Sequence, residues 1–500
     1  MLKKWLSILL VTLFTVTALT GCWTDVFEDI GDAIQFQSAT STTKKAAKKS
    51  KTTTTTTAEA GTASSTTAKQ KTTYIPTNSD TTTTNKAIVM GTTTAGGTAT
   101  TTTTTTRATT AVTTTAAPLN AYTSQWTGAT GSRFAGGDGT ANNPYRIETG
   151  EQLAYLAKQV NEQGRSFNGD YFVLSNNINL KSHPWTPIGI SDTVTFQGIF
   201  DGCGYTISNL SITTPHKYET SSSTTGTAGL FGSCENATIR NLTLDGVKVE
   251  FYYRTDYLYV GALVGRFYCT SSANITNVST TDVYVSLNYS QASYYYGGNS
   301  FLGGIVGIIQ TKNGGWCDLR TVEVTNCSMN IKNNGGWSGF GGIGGTISNN
   351  GTVAVQDFAC YAKMVHPSQL GDNVCGAFAY VNNASGSIRL EKGFSAITTS
   401  NRVQANGQLQ SGDTYSIRAA AIVGYGPCFK DSKGGYQLSN VYGYVAPSYG
   451  REDNYLGLHR IHDGFSMTER NCVGCISLPA GHGLDATVWD LRSLSQPLLK

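Results

Sequence analysis

Charge is scarce in this chain. Only 14% of its 500 residues are Asp, Glu, Lys or Arg, and histidine occurs six times. Glycosidases need two facing carboxylates, yet the acidic residues here are scattered and form no such pair. His459-Arg-Ile-His462 lacks the glutamate of the zinc-protease motif His-Glu-x-x-His, and structural or surface histidines are expected. No phosphate loop with its lysine, no nucleophile elbow in a strand–turn–helix setting and no calcium-binding nonapeptide repeat occurs. No catalytic residue, metal ligand or cofactor is therefore nominated. An apolar run of about 20 residues, enough to span a bilayer, is also missing.

The first residues, MLKKWLSILLVTLFTVTALTGCW, have the layout of an export signal: Lys3 and Lys4, a short apolar stretch, then small residues. Leu19-Thr20-Gly21-Cys22 closes the stretch and resembles the lipobox of bacterial lipoproteins. That resemblance implies a signal peptide over residues 1–21, lipidation of Cys22 and an extracytoplasmic chain held to the membrane by its N-terminal lipid.

Residues 22–120 read as a linker. Threonine tracts such as GTATTTTTTTRATTAVTTT leave no apolar residues to build a core, so a disordered stalk is expected. Residues 40–120 carry nine Lys or Arg against Glu59 and Asp80, whereas the whole chain is only +4. The positive balance thus belongs to the tether, the remainder is close to neutral, and nothing suggests a nucleic-acid groove.

Residues 121–500 are long enough for one domain with a full core. A glycine-flanked apolar phrase recurs there: Gly198-Ile-Phe-Asp201, Gly229-Leu-Phe-Gly232, Ala262-Leu-Val-Gly265, Gly304-Ile-Val-Gly307, Gly342-Ile-Gly-Gly345, Gly376-Ala-Phe-Ala379 and Ala421-Ile-Val-Gly424. Uneven steps between phrases fit a turn of chain carrying loops of different length. Each phrase is followed by a period-two run, such as Ile239-Arg-Asn-Leu-Thr-Leu244 or Ile275-Thr-Asn-Val278, the pattern of a strand with one buried face. Asn209, Asn241, Asn277, Asn326 and Asn440, with Asp357, are expected to hold one corner column, since Asn tolerates a left-handed turn.

Three short strands per repeat describe an all-β, right-handed parallel β-helix whose coils stack and share one core. A β-sandwich is the alternative; it predicts hairpin turns at regular spacing. Thr149-Gly-Glu-Gln152 is a capping box, and Leu153, Leu156, Ala157 and Val160 follow at helical spacing. A helix of roughly fourteen residues is expected there as an N-terminal cap.

Taken in order, Phe134-Ala-Gly-Gly-Asp-Gly-Thr140, Asn143-Pro-Tyr-Arg-Ile147, Asn177-Ile-Asn-Leu180, Trp185-Thr-Pro-Ile-Gly189 and Phe196-Gln-Gly-Ile-Phe-Asp-Gly202 resemble the entry module of GLUG-motif surface proteins. The Gly-Leu-Phe-Gly phrases are similar to the motif itself. Trp489-Asp-Leu491 with Gln496-Pro-Leu-Leu499 resembles the way such domains end. The resemblance implies a β-helical extracytoplasmic module of the kind found in adhesins and beside the protease domain of immunoglobulin-A peptidases. It implies no catalytic residue.

Ten cysteines follow Cys22, an even number compatible with disulfides in an exported chain. Cys203 and Cys234 each lie three residues after a phrase Phe, so stacked coils are expected to bring them within bridging distance, with two buried thiols as the other outcome. Cys472-Val-Gly-Cys475 lacks the second pair a zinc site needs, which favours a local bridge or free thiols.

Tyrosines form the remaining candidate site. Tyr252, Tyr253 and Tyr257 precede one phrase, and Tyr289, Tyr294, Tyr295 and Tyr296 precede the next. Trp316 and Trp337 extend the series. Stacking would put them on one flank, as a patch for a glycan or protein partner; alternatively they pave a half-buried sheet. Three functions are expected from different classes: a non-catalytic adhesin-like binder, a polysaccharide lyase or hydrolase on the same scaffold, and a surface spacer.

Overall fold

The computed structural model describes residues 123–500 apart from 215, 220–223, 254, 290–297, 333–335, 366–372, 384–385, 400–401, 404–415, 426–434 and 448–465. Cys22, the linker, Tyr294, Tyr295, Tyr296, His459 and His462 lie outside the described residues. No helix among the described residues is long and apolar enough to cross a membrane.

The chain runs in coils of three parts. In one coil Tyr257–Gly261 is a first arm, Val264–Cys269 a second arm and Ser272–Tyr289 a long wall. The next coil repeats this with Asn299–Gly303, Val306–Thr311 and Trp316–Lys332. Counterparts pair in parallel, with Val260 opposite Leu302, Val264 opposite Val306 and Ile275 opposite Leu319. The walls and arms accumulate into sheets of 15 and 12 strands. This is a parallel β-helix, and the sandwich alternative fails because the repeat pairs coil on coil rather than hairpin on hairpin.

Alternation decides what lies inside. Ile239, Ile275, Leu319, Val355, Leu390 and Leu438 form one column of the interior, each next to its counterpart on the neighbouring coil. The third letters of six phrases form another: Phe231, Val264, Val306, Gly344, Phe378 and Val423. No single coil can bury such residues, so the core exists only in the stack.

Gly198-Ile-Phe-Asp201 does not belong to that column. It pairs with Tyr171–Val173 on one side and Thr238–Arg240 on the other, within the wall sheet. Ile188 instead bridges to Phe231 and opens the phrase column. Glycine beside an apolar pair serves two different walls, which the phrase alone cannot distinguish.

The single asparagine corner resolves into two. Asn241, Asn277, Thr321, Asp357, Lys392 and Asn440 make the first column, and Asn209, Gly246, Asp282 and Asn326 the second, all at positive φ. Asn209 and Asn326 therefore sit one corner away from the expected register. Both corners turn the chain through the left-handed region, which favours Asn, Asp and Gly, although Thr321 and Lys392 also adopt it in the first column. Side-chain amides ladder between coils: Asn241 Nδ2 donates to Asp201 Oδ1 and Asn277 Nδ2 to Asn241 Oδ1, each at 3.0 Å. Asn471 Nδ2 donates to Asn440 Oδ1 at 2.6 Å.

The cap forms as Gly150–Asn161, somewhat shorter than expected. Thr149 Oγ1 accepts from Gln152 N at 3.4 Å, and Gln152 Oε1 accepts from Glu148 N at 2.7 Å, a variant of the reciprocal box. Leu153, Leu156, Ala157 and Val160 are buried against the first coils.

The C-terminal residues return as a strap across the outside of the wall sheet. Leu478, Leu484 and Trp489 pack with Ala359, Phe394 and Tyr442, a cluster separate from the main core. Trp489 Nε1 donates to Asp357 Oδ1 at 3.1 Å, Tyr361 Oη to Pro497 O at 2.6 Å, and Leu499 N to Glu323 Oε1 at 3.0 Å. Burial pushes the Glu323 carboxyl above its ordinary range, opposed by the Leu499 N–H. The folded chain then holds this proton more tightly than the unfolded chain, so stability is greatest below the unfolded pKa and is lost as pH rises through the folded one. E323Q keeps an acceptor without the charge. Its unfolding temperature is expected to exceed the parent's at neutral pH and to converge with it near pH 4, below the ordinary Glu pKa of about 4.3. A gap independent of pH would show that Glu323 does not titrate against the strap.

Candidate binding notch

Each glycine phrase is a sharp bend that folds the second arm back along the outer side of the first. The fourth letter marks the contact. A Cβ on Gly265 would stand 2.9 Å from Ala228 N and 3.0 Å from Tyr259 O; one on Gly307 would meet Val260 N at 2.6 Å. A Cβ on Gly345 would meet Leu302 N at 2.7 Å, and one on Gly424 would meet Cys375 O at 2.4 Å. Backbone approaches backbone here, and only glycine leaves the room. Repetition turns the bend into a seam between the two arms; most of its residues are buried, and Tyr257, Tyr259, Phe301, Trp337 and Tyr425 are half-buried along it.

Residues two or three places before each phrase line one wall, and the residue directly after each phrase lines the other. The first wall carries Thr227, Tyr259, Phe301, Gly339 and Val374 in register. The second carries Ser233, Arg266, Ile308, Thr346 and Tyr380. Tyr257 and Tyr259 stack at 6.4 Å and Tyr259 and Phe301 at 5.8 Å, both pairs with planes 15° apart. Tyr380 crosses toward the first wall: its ring meets Phe301 edge-on at 5.5 Å, stacks on Trp337 at 5.4 Å and meets Tyr425 at 6.1 Å. Gly339 makes this crossing possible, because a Cβ there would lie 2.8 Å from the Tyr380 ring and 3.0 Å from Phe301. Val374, Ala379 and Tyr380 are buried in this cluster, and Phe301, Trp337 and Tyr425 are half-buried around it.

The structure redistributes the candidate patch. Tyr257 and Trp337 belong to the seam. Tyr252 is 73% exposed on the wall sheet, well away from the bend in sequence and strand. Tyr253 is 1% exposed, its hydroxyl 2.7 Å from Ser300 Oγ, and is a core residue. Tyr289 pairs with Tyr253 at the end of the wall. Trp316 opens the wall strand after the second arm and joins neither side of the seam. Tyr259, Phe301, Tyr380, Tyr425, Arg266 and Tyr268 were not singled out by sequence. Their signal was a near-constant offset around the phrases: 259 to 266, 301 to 308 and 339 to 346 are each seven residues, and 227 to 233 and 374 to 380 are each six.

Of the two outcomes expected for each cysteine pair, the structure shows free thiols. Cys203 and Cys234 are free thiols. Cys203 occupies a left-handed corner and donates its N–H to Asp201 Oδ1, whereas Cys234 lies in the second arm opposite Phe267. The expected bridge assumed that Gly198–Asp201 shared the phrase register. Burial first, then the Asp201 charge, pushes the Cys203 thiol up to about 12. Cys472 and Cys475 are free and half-buried.

No family model matches the chain. A protein of Evansella cellulosilytica, provisionally named a Gly-rich membrane protein, is 34% identical over 160 residues, which is 30% of this chain and 16% of that protein. Halomucin of Haloquadratum walsbyi is 31% identical over 180 residues, 34% of this chain and 2% of halomucin. This chain thus spans less than a fifth of either relative. Among solved structures, one from Bacteroides ovatus, provisionally named an immunoglobulin A1 protease, is 17% identical, covers 73% of this chain and 95% of its own, and has a TM-score of 0.44.

Proposed function

We propose that this chain is a GLUG-type surface lipoprotein whose β-helix binds a glycan or protein ligand without catalysing a reaction. The aromatic array carries the reading: three rings with near-parallel planes, Tyr257, Tyr259 and Phe301, lie along one arm beside the Trp337–Tyr380 stack. Interior packing alone does not call for stacked aromatics on the outer side of a β-helix. The names of the relatives, a membrane protein and a halomucin, agree with a place at the cell surface. The Cys22 lipid and the threonine stalk are the proposed means of attachment and extension.

The test is a binding survey of the full chain against neutral and acidic oligosaccharides and intact cells, repeated with Tyr257→Ala and Trp337→Ala. Each substitution is expected to weaken capture about tenfold or more, as aromatic anchors do, with the unfolding transition largely kept. Undiminished binding by both variants, or turnover of a bound polysaccharide, would overturn the reading.

A further inference from the structure

The last wall departs from the pattern the earlier ones keep. Ile239, Ile275, Leu319, Val355, Leu390 and Leu438 point into the core on successive coils, and the next register position, opposite Leu438, is Glu469. Register is held up to that point. Ser466–Arg470 pairs in parallel with the start of Gly435–Pro447, and Asn471 continues the first corner column at φ +52°. Its Nδ2 donates to Asn440 Oδ1 as the earlier corner amides do. Glu469 therefore takes an inward place in the coil, yet it is exposed. Val473 lies opposite Tyr442, which puts Cys472 in the column of Val441; Val441 is buried and Cys472 only half-buried. No strand among the described residues pairs with the far edge of Ser466–Arg470. Beyond it the chain turns into the strap, with Cys475 N donating to Gly443 O at 2.9 Å and Leu478 N to Leu494 O at 2.8 Å. Val473 and Ile476, a few residues on from Glu469, are exposed large apolar side chains.

An unpaired strand edge over an apolar interior is a template for another strand. The partner that fits this edge is a second copy of the chain, because only another three-part coil would set apolar columns over these. At the opposite end Leu153, Leu156, Ala157 and Val160 of the capping helix are buried against the first coils. The surface left to meet the last wall is the last wall of the other copy, in a twofold, antiparallel pair. A twofold axis perpendicular to the sheet keeps both interiors on the same side, so it brings both Glu469 carboxylates into one joined interior. Like charges there repel, and a charge buried without a counter-charge is strongly unfavourable. Arg470 cannot neutralise either one, since alternation turns it to the outer face in both copies. We infer that the last wall of the stack is a self-association edge and that Glu469 keeps a second copy off it.

The experiment compares the full chain with E469L and E469K under reducing conditions, by sedimentation velocity and amide exchange. The parent and E469K are expected to sediment as monomers. E469L is expected to double in mass as its concentration rises, with the amides of 466–470 gaining protection in step. Glu469 is exposed, so its replacement removes no packing within one copy, and protected wall amides over 275–287 verify that each variant is folded. A folded E469L that stays monomeric at every concentration would overturn the inference. Association of E469L with 466–470 still exchanging freely would place the contact elsewhere and overturn it too. Association of E469K as strong as that of E469L, or pairing of the parent through this edge, would show that the charge of Glu469 is not what keeps the copies apart.

Discussion

Gly307→Val is expected to destabilise the domain by on the order of 4 kcal/mol, among the largest effects of a single substitution. The added Cβ alone would meet Gly265 O at 2.5 Å, Val260 N at 2.6 Å and Tyr259 C at 2.8 Å. Each is backbone, fixed by sheet pairing to coils on both sides, so no side chain can swing away. The arms would have to separate, and separation would break the phrase column as well as the seam. Gly314→Ala provides the contrast. A methyl group added at Gly314 would have nothing within 4 Å, and the φ of +76° alone resists the change, for a cost of about 1 kcal/mol. Denaturant unfolding of the two variants separates crowding from backbone preference. Similar midpoints would mean that the bend tolerates a side chain and that glycine is there for another reason.

Trp489→Ala is expected to release the C-terminal strap. Trp489 is fully buried and is the largest residue in the cluster that covers Ala359, Phe394 and Tyr442. Truncating a buried Trp costs about 3–5 kcal/mol, and the Asp357 carboxylate would also lose the indole N–H it accepts at 3.1 Å. The strap is tied to the coils by a few contacts of this kind, whereas the coils are tied to one another by continuous sheet. Loss should therefore be local. Amides over 478–500 should exchange faster and become sites of limited proteolysis, while wall amides such as those of 275–287 stay protected. Trp489→Phe keeps a ring and removes only the donor, so about 1–2 kcal/mol is expected. Unchanged exchange in Trp489→Ala would show that the strap is held elsewhere.

Much of this architecture could be read before any coordinates. The phrase spacing is the coil length, and the third letters stack as the repeat implied, because glycine at a tight bend and period-two apolar runs answer to local physics. What escaped depends on long-range placement. Gly198-Ile-Phe-Asp201 looks like a phrase because the same small–apolar chemistry suits a wall strand. Asn209 and Asn326 were assigned to the wrong corner because both corners use the left-handed region and accept the same residues. The strap contact between Trp489 and Asp357 joins residues 132 apart, and local pattern carries no trace of it. The tyrosine run was visible as a run, but alternation sends Tyr252 to solvent and Tyr253 to the core, and only Tyr257, in the first arm ahead of the bend, joins the aromatic array.

Oxidative cross-linking of paired cysteines gives the most direct check on the stacked, in-register coils from which the seam follows. Glu250 and Ser286 are register partners on adjacent walls, within the Cα separation of about 4.4–6.8 Å that a disulfide spans. Glu250→Cys with Ser286→Cys is expected to form an intramolecular bond in the folded chain, and Glu250→Cys with Ser279→Cys is not. Bonding in the second pair, or none in the first, would contradict the parallel register.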